Sequence, residues 1–203
     1  MNYNYNTLEE FYAANKINVT EGFSQQEAKQ TSNLIRICKQ VNPKNILEIG
    51  FNGGHSSEIF LQNSNAYVCS FDIGDHFHEY LKYGKQFINT RYPDRHTLVF
   101  GDSTKTVPNY SKNHPDIKYD IIFIDGGHDY PIAYADMLNC KNLAHKDTIL
   151  IVDDIVRTSS LEAGHTIGPT KAWSQFKNAN IIKELELHEW NKGRGMCVGK
   201  YNL

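Results

Sequence analysis

The chain has no excess of charge of either sign: 21 Lys and Arg stand against 23 Asp and Glu, a formal net charge of −2 over 203 residues. Without a basic surplus, the electrostatic term that supplies most non-specific nucleic-acid affinity is missing, which disfavours a polynucleotide substrate. No apolar run approaches the roughly 18 residues needed to cross a bilayer. The start, Met1-Asn-Tyr-Asn-Tyr-Asn6, has no basic segment followed by an apolar one. The expectation is therefore a cytoplasmic protein with no membrane partner, in which the Asn18-Val-Thr20 sequon has no consequence. The four cysteines, Cys38, Cys69, Cys140 and Cys197, form no Cys-x-x-Cys pair and are predicted to be buried, reduced thiols. No low-complexity linker or internal repeat divides the chain, so a single domain over residues 1–203 is expected.

What is present is a globular composition, 40% hydrophobic with twelve Tyr and ten Phe, and a repeating order of elements. Ser24-Gln-Gln-Glu27 reads as a capping box ahead of Ala28, Thr31, Leu34, Ile35, Cys38 and Val41, a helical spacing that should end near Pro43. Short apolar runs follow: Asn45-Ile-Leu-Glu-Ile49, Ala66 to Phe71, Thr97 to Phe100, Tyr119 to Ile124 and Thr148 to Val152. They are separated by stretches long enough for crossover helices, which predicts an α/β fold with a mostly parallel sheet covered on both faces. Two last runs, Ile181 to Glu189 and Gly195 to Tyr201, flank Asn191-Lys-Gly-Arg-Gly195 and read as a hairpin adding an antiparallel edge.

In such a sheet ligands bind beyond the carboxyl ends of the strands. The first run delivers Glu48-Ile-Gly50-Phe-Asn52-Gly-Gly54-His-Ser56-Ser57, a glycine loop that lets backbone approach a ligand at a helix start. The second ends at Asp72, twenty-two positions after Gly50, where a carboxylate can accept from both ribose hydroxyls of a nucleoside cofactor. Acids also follow the next three runs: Asp102 before Ser103, Asp125 ahead of Gly-Gly-His128, and the pair Asp153-Asp154. Singly, each acid could be a helix cap or turn residue; capping alone does not require acids at the same end of successive strands.

Residues 46–57, Asp72, Gly101-Asp102-Ser103 and residues 119–130 resemble the successive motifs of class I S-adenosylmethionine-dependent methyltransferases. The similarity is closest to the branch of small-molecule and sugar O-methyltransferases, with Asn52 replacing the middle glycine of the broader family's loop. The resemblance implies a Rossmann-like, doubly wound, seven-stranded sheet. It implies that Glu48, Gly50, Asn52 and Gly54 shape the methionine pocket with Ser56 and Ser57 near its carboxylate, that Asp72 holds the ribose, and that Asp102 and Ser103 border the adenine. It further implies Mg²⁺ at Asp125, Asp153 and Asp154, where three converging carboxylates call for a compensating charge. His128 falls where catechol-type relatives carry a catalytic Lys, and a neutral imidazole there can take a hydroxyl proton. Asp125 is thus expected to serve both cofactor and catalysis. Related sugar enzymes assemble, so a homo-oligomer is compatible with the resemblance. The acceptor walls are expected from Thr20 to Ser24 and from Arg157 to Trp173, with residues 1–23 forming part of the acceptor lid and Tyr130 near the cleft. His55 can touch the cofactor, whereas His76 and His78 are not expected to bind metal. An N-methyltransferase, an NAD-dependent oxidoreductase without Gly-x-Gly-x-x-Gly, and a catalytically silent nucleotide-binding module are the competing readings.

Overall fold

The computed structural model describes residues 5–19, 27–74 and 78–203. Among them the elements run α1 (Leu8–Ala14), α2 (Ala28–Val41), β1 (Asn45–Ile49), α3 (His55–Asn63), β2 (Tyr67–Asp72), α4 (His78–Arg91), β3 (His96–Phe100) and α5 (Ser103–Asn113). They continue with β4 (Tyr119–Ile124), α6 (Tyr130–Cys140), β5 (Ala144–Asp153), α7 (Ile167–Asn178), β6 (Ile182–Asn191) and β7 (Arg194–Tyr201). The strands form one seven-stranded sheet in the order β3-β2-β1-β4-β5-β7-β6. Pairings are parallel from β3 across to β5 and antiparallel from β5 through β7 to β6. The expected hairpin therefore closes the sheet on an antiparallel pair, with β7 against β5 and β6 outermost.

The apolar runs form strands because their alternate residues feed two separate cores. Ile46, Val68, Ile121, Phe123 and Ile151 face a cluster with Leu34, Ile37 and Phe60 of α2 and α3. Leu47, Phe71, Ile122, Ile124 and Leu150 face the opposite cluster with Met137, Trp173 and Phe176 of α6 and α7. Burying each such side chain contributes roughly 1.5–3 kcal/mol, so a one-residue register slip in any central strand would be costly on both faces. α2 ends at Val41 with Asn42 in the left-handed conformation, φ 49°, just before Pro43. Its first turn is capped by Glu27, which accepts from the Lys29 amide at 3.2 Å; Ser24 of the expected capping box lies outside the described residues, as does His76. All four cysteines are buried and free. No helix among the described residues is long and apolar enough to cross a membrane.

The order reverses at β1, with β2 and β3 on one side and β4 and β5 on the other, so β1 and β4 flank the topological switch point. That crevice is where an open α/β sheet accepts a ligand.

Candidate active site

The loop after β1 is built by three residues in the left-handed conformation: Gly50 (φ 93°), Asn52 (φ 46°) and Gly54 (φ 86°). A Cβ at Gly50 would overlap the Asp125 carbonyl, so glycine there lets the β1 loop and the β4 end meet across the switch point. Asn52, in place of the usual glycine, occupies a conformation that Asn tolerates better than most residues.

Glu48 anchors the loop from within. It is 0% exposed, and its carboxylate accepts from the hydroxyls of Ser56, of Ser57 at 2.5 Å and of Ser70 at 2.5 Å. Burial pushes its pKa up, and the three serine hydroxyls pull it back toward the ionised form. Glu48, Ser56 and Ser57 thus shape the loop from beneath. Asp72 lies half-buried at the end of β2. Its Oδ2 accepts from the amides of Phe51 and Asn52, both at 2.9 Å, and its Oδ1 from Gly74 at 2.8 Å. Asp102 caps α5, accepting from the Thr104 amide at 3.0 Å and hydroxyl at 2.6 Å, with Lys105 at 3.2 Å. The Thr104 hydroxyl and Lys105 hold its pKa below the ordinary carboxylate value. Ser103 begins α5 beside it.

Across the switch point the acids face one another. Asp125 follows β4, its amide donating to Ile49 O at 2.9 Å. Asp153 ends β5, and both it and Asp154 are 6% exposed. Successive strand residues point to opposite faces, so Asp153 keeps step with Ile151 on the α2 side, while Asp154, just past the strand end, adopts φ 58°. Asp153 turns toward α2, where its Oδ2 accepts from Gln30 Nε2 at 2.5 Å. Asp154 turns toward the loop after β4, with Oδ2 2.9 Å from His128 Nε2 and Oδ1 3.7 Å from His165 Nε2.

One ligand atom each from Asp125, His128 and Asp154 lie within 4.8 Å of one another. All three acids expected at a metal thus come to one end of the sheet, while the atoms near enough to share an ion include an imidazole and Gln30 engages Asp153. Burial, then the charges of Asp153 and Asp154, raise the Asp125 pKa well above the ordinary carboxylate value. Burial, then Asp154, raise that of Asp153. His128 is raised by its hydrogen bond to Asp154. Asp125, Gly126, His128, Asp153, Asp154 and Pro169 are among the residues lining a small cleft there.

A family model described as a methyltransferase domain matches residues 47–155, from the glycine loop through both acid positions of the cleft. The chain belongs to this methyltransferase family. Among solved structures, the O-methyltransferase from Bacillus cereus in complex with SAH is 18% identical, with a TM-score of 0.76 over 100% of this chain and 93% of that one. TomG, an O-methyltransferase from Streptomyces achromogenes in complex with SAM, is 12% identical, with a TM-score of 0.69 over 96% and 87%. CalS11, a TDP-rhamnose 3'-O-methyltransferase of calicheamicin biosynthesis, is 16% identical, with a TM-score of 0.67 over 87% and 82%. At these identities the likeness is one of fold. A comparison with curated protein sequences finds no match.

The candidate site also gathers residues that motif spacing does not reveal. Gln30 and His165 reach Asp153 and Asp154 from α2 and from the turn before α7, and no local pattern marks either. Ile73, immediately after Asp72, is 51% exposed despite being apolar, which its place after the acid could have signalled. α1 was equally unforeseen, although Thr7 as N-cap with Leu8, Phe11 and Tyr12 at helical spacing is a readable signature. It packs on α4, with Phe11 and Phe87 rings 5.6 Å apart. Of the expected acceptor walls, residues 20–26 lie outside the described residues. Trp173 is fully buried in the core, donating to Glu184 Oε2 at 2.6 Å, so from that stretch Pro169 lines the cleft and His165 approaches Asp154. Tyr130 is half-buried at the start of α6, its hydroxyl bonded to Gln175 and Lys171 Nζ 4.3 Å above its ring. His55 is 2% exposed, with Nε2 3.0 Å from Glu9.

Proposed function

We propose that this methyltransferase transfers the methyl group of S-adenosylmethionine to a hydroxyl of a small molecule or sugar, with Mg²⁺ at the acid cluster. The observation that carries this reading is the meeting, at one switch point, of a glycine loop closed on Asp72 with donor atoms of Asp125, His128 and Asp154 all within 4.8 Å. The bound SAH and SAM of the Bacillus and Streptomyces enzymes support the cofactor. The sugar acceptor of CalS11 supports the acceptor class.

In this reading Gly50, Asn52 and Gly54 shape the pocket for the methionine end. Asp72 exchanges an amide for a ribose hydroxyl, and Asp102 and Ser103 border the adenine. Asp125 and Asp154 are carboxylate donors suited to a hard divalent cation, and Asp153 adds its charge from the Gln30 side. Bound there, the cation lowers the pKa of an alcohol and orients it. With Asp154 Oδ2 as the acceptor 2.9 Å from His128 Nε2, the neutral imidazole carries its hydrogen on Nε2 and its lone pair on Nδ1. Nδ1 takes the proton as the hydroxyl oxygen bonds to the methyl carbon and the sulfonium sulfur leaves with the bond's electron pair as S-adenosylhomocysteine. Asp154 plays the orienting part that a carboxylate plays behind a catalytic histidine.

Calorimetry with S-adenosylmethionine on wild type and Asp72→Ala, with and without Mg²⁺, tests the cofactor. Binding that is weakened in the variant supports the reading; no binding to wild type overturns it. Methylation of hydroxylated acceptors before and after chelation then tests the cation. Activity insensitive to chelation would leave the His128–Asp154 pair as the proton acceptor without metal, and methylation confined to amines would move the acceptor class.

A further inference from the structure

The glycine loop is held from outside as well as from beneath. Tyr12 of α1 is 2% exposed, and its Oη lies 2.6 Å from Gly53 O in the loop and 3.0 Å from Tyr80 O on α4. With one proton to give, the hydroxyl favours the nearer Gly53 carbonyl. The same short helix engages the next turn twice more: the Leu8 amide donates to Glu58 Oε1 at 2.9 Å, and Glu9 Oε1 lies 3.0 Å from His55 Nε2. Space is left for this contact on both sides. A Cβ at Gly53 would come 3.0 Å from Tyr12 Oη, and one at Gly84 on α4 would overlap the Gly53 carbonyl and come 2.8 Å from Tyr12 Oη. Burial, then Glu9 and Glu58, push the tyrosine's pKa up, so the hydroxyl is a donor throughout the working pH range.

We propose that Tyr12 is a positioning residue for cofactor binding: α1 clamps the β1–α3 loop by fixing the carbonyl of the Gly53–Gly54 peptide, whose N–H donates to Phe51 O at 2.7 Å, so that the loop keeps the shape that closes on Asp72 at the switch-point crevice. This rests on the S-adenosylmethionine reading for its ligand but not for its geometry. A peptide pinned by both its carbonyl and its amide cannot rotate, so the loop is preorganised before the ligand arrives.

Tyr12→Phe keeps the ring in its apolar site and removes the hydroxyl. Two readouts test the clamp: amide hydrogen exchange of residues 51–56 in the ligand-free protein, and affinity for S-adenosylmethionine. The expected result is faster exchange confined to that loop, with Kd and KM for S-adenosylmethionine raised about 5- to 10-fold, the effect of one neutral hydrogen bond. kcat and the acceptor KM should hold at wild-type values. Unchanged loop exchange overturns the proposal. So does exchange that accelerates evenly over the whole protein, which would make Tyr12 merely structural, and so does an unchanged Kd with a loosened loop. If wild type itself fails to bind S-adenosylmethionine, the cofactor reading falls while the exchange data still decide whether the clamp exists.

Discussion

The two sides of the switch point use acidic residues in opposite ways. On the β1–β2–β3 side each carboxylate is satisfied: Glu48 by three serine hydroxyls, Asp72 by three amides, Asp102 by Thr104 and Lys105. On the β4–β5 side Asp125, Asp153 and Asp154 repel one another, and the first two are pushed toward the protonated form. A neutral, hydroxyl-rich nucleoside suits the first arrangement, because hydrogen bonds can be exchanged without burying new charge. The second is frustrated until positive charge enters it, which suits a cation. Similar residues after similar strands thus acquire different chemistry from what their neighbours can donate.

The largest expected effect tests the proposed base on the frustrated side. His128→Ala should lower kcat by about 10²–10⁴ while leaving S-adenosylmethionine affinity near wild type, as read by steady-state kinetics beside calorimetry. A loss of cofactor affinity instead would mean that the two sides are not separable.

The next concerns what holds that side in place. The stretch after Asp154 is tied to β6 by Arg157 on Glu184 and by the Arg157 and Thr158 amides on Glu189, at 2.6 and 2.8 Å. Arg157, with Trp173 and Lys177, holds the Glu184 pKa down to about 2, below the 4.5 of a free side chain. A folded-state pKa below the unfolded one contributes stability that is full above pH 4.5 and is lost as pH falls toward 2. The contribution is roughly 3 kcal/mol. Glu184→Gln should therefore lower stability at pH 7 and flatten its decline between pH 4.5 and 2, measured by urea unfolding across that range. An unaltered acid profile would remove Glu184 as its source.

On the satisfied side, Asp72→Ala should weaken S-adenosylmethionine binding about 10- to 100-fold, the cost of losing a charged hydrogen-bond acceptor. kcat at saturation should change far less. The smallest effect has the opposite sign. Asp125→Asn removes one of the like charges and should raise metal-free thermal stability by about 0.5–2 kcal/mol. The isosteric Asp72→Asn, which leaves two loop amides facing a weaker acceptor, should instead lower it. If both variants shift the melting temperature the same way, the contrast between the sides fails.

Much of this was legible before any coordinates. The apolar runs at 45–49, 119–124 and 148–152 and the acids that follow them mark both the sheet and its active edge, because strand burial and turn chemistry are local properties. The partners that tell Asp153 from Asp154 were not legible: Gln30 reaches the first, and His128 and His165 reach the second, only once the helices and loops have packed. Nor was the role of Trp173, whose aromatic character fits a cleft wall and a core equally well and which lies fully buried.

The amino-acid sequence by itself determined the order of elements, the two-sided burial of the strands and the presence of acids at their carboxyl ends. These follow from periodicity and from residues a few positions apart. Tertiary structure decided which acids are satisfied and which confront one another. Gln30 reaches Asp153 across 123 positions and Tyr12 reaches Gly53 across 41. Such partners are chosen by how helices pack on the sheet, and the electrostatics of a buried carboxylate is set by whichever donors that packing brings within about 3 Å.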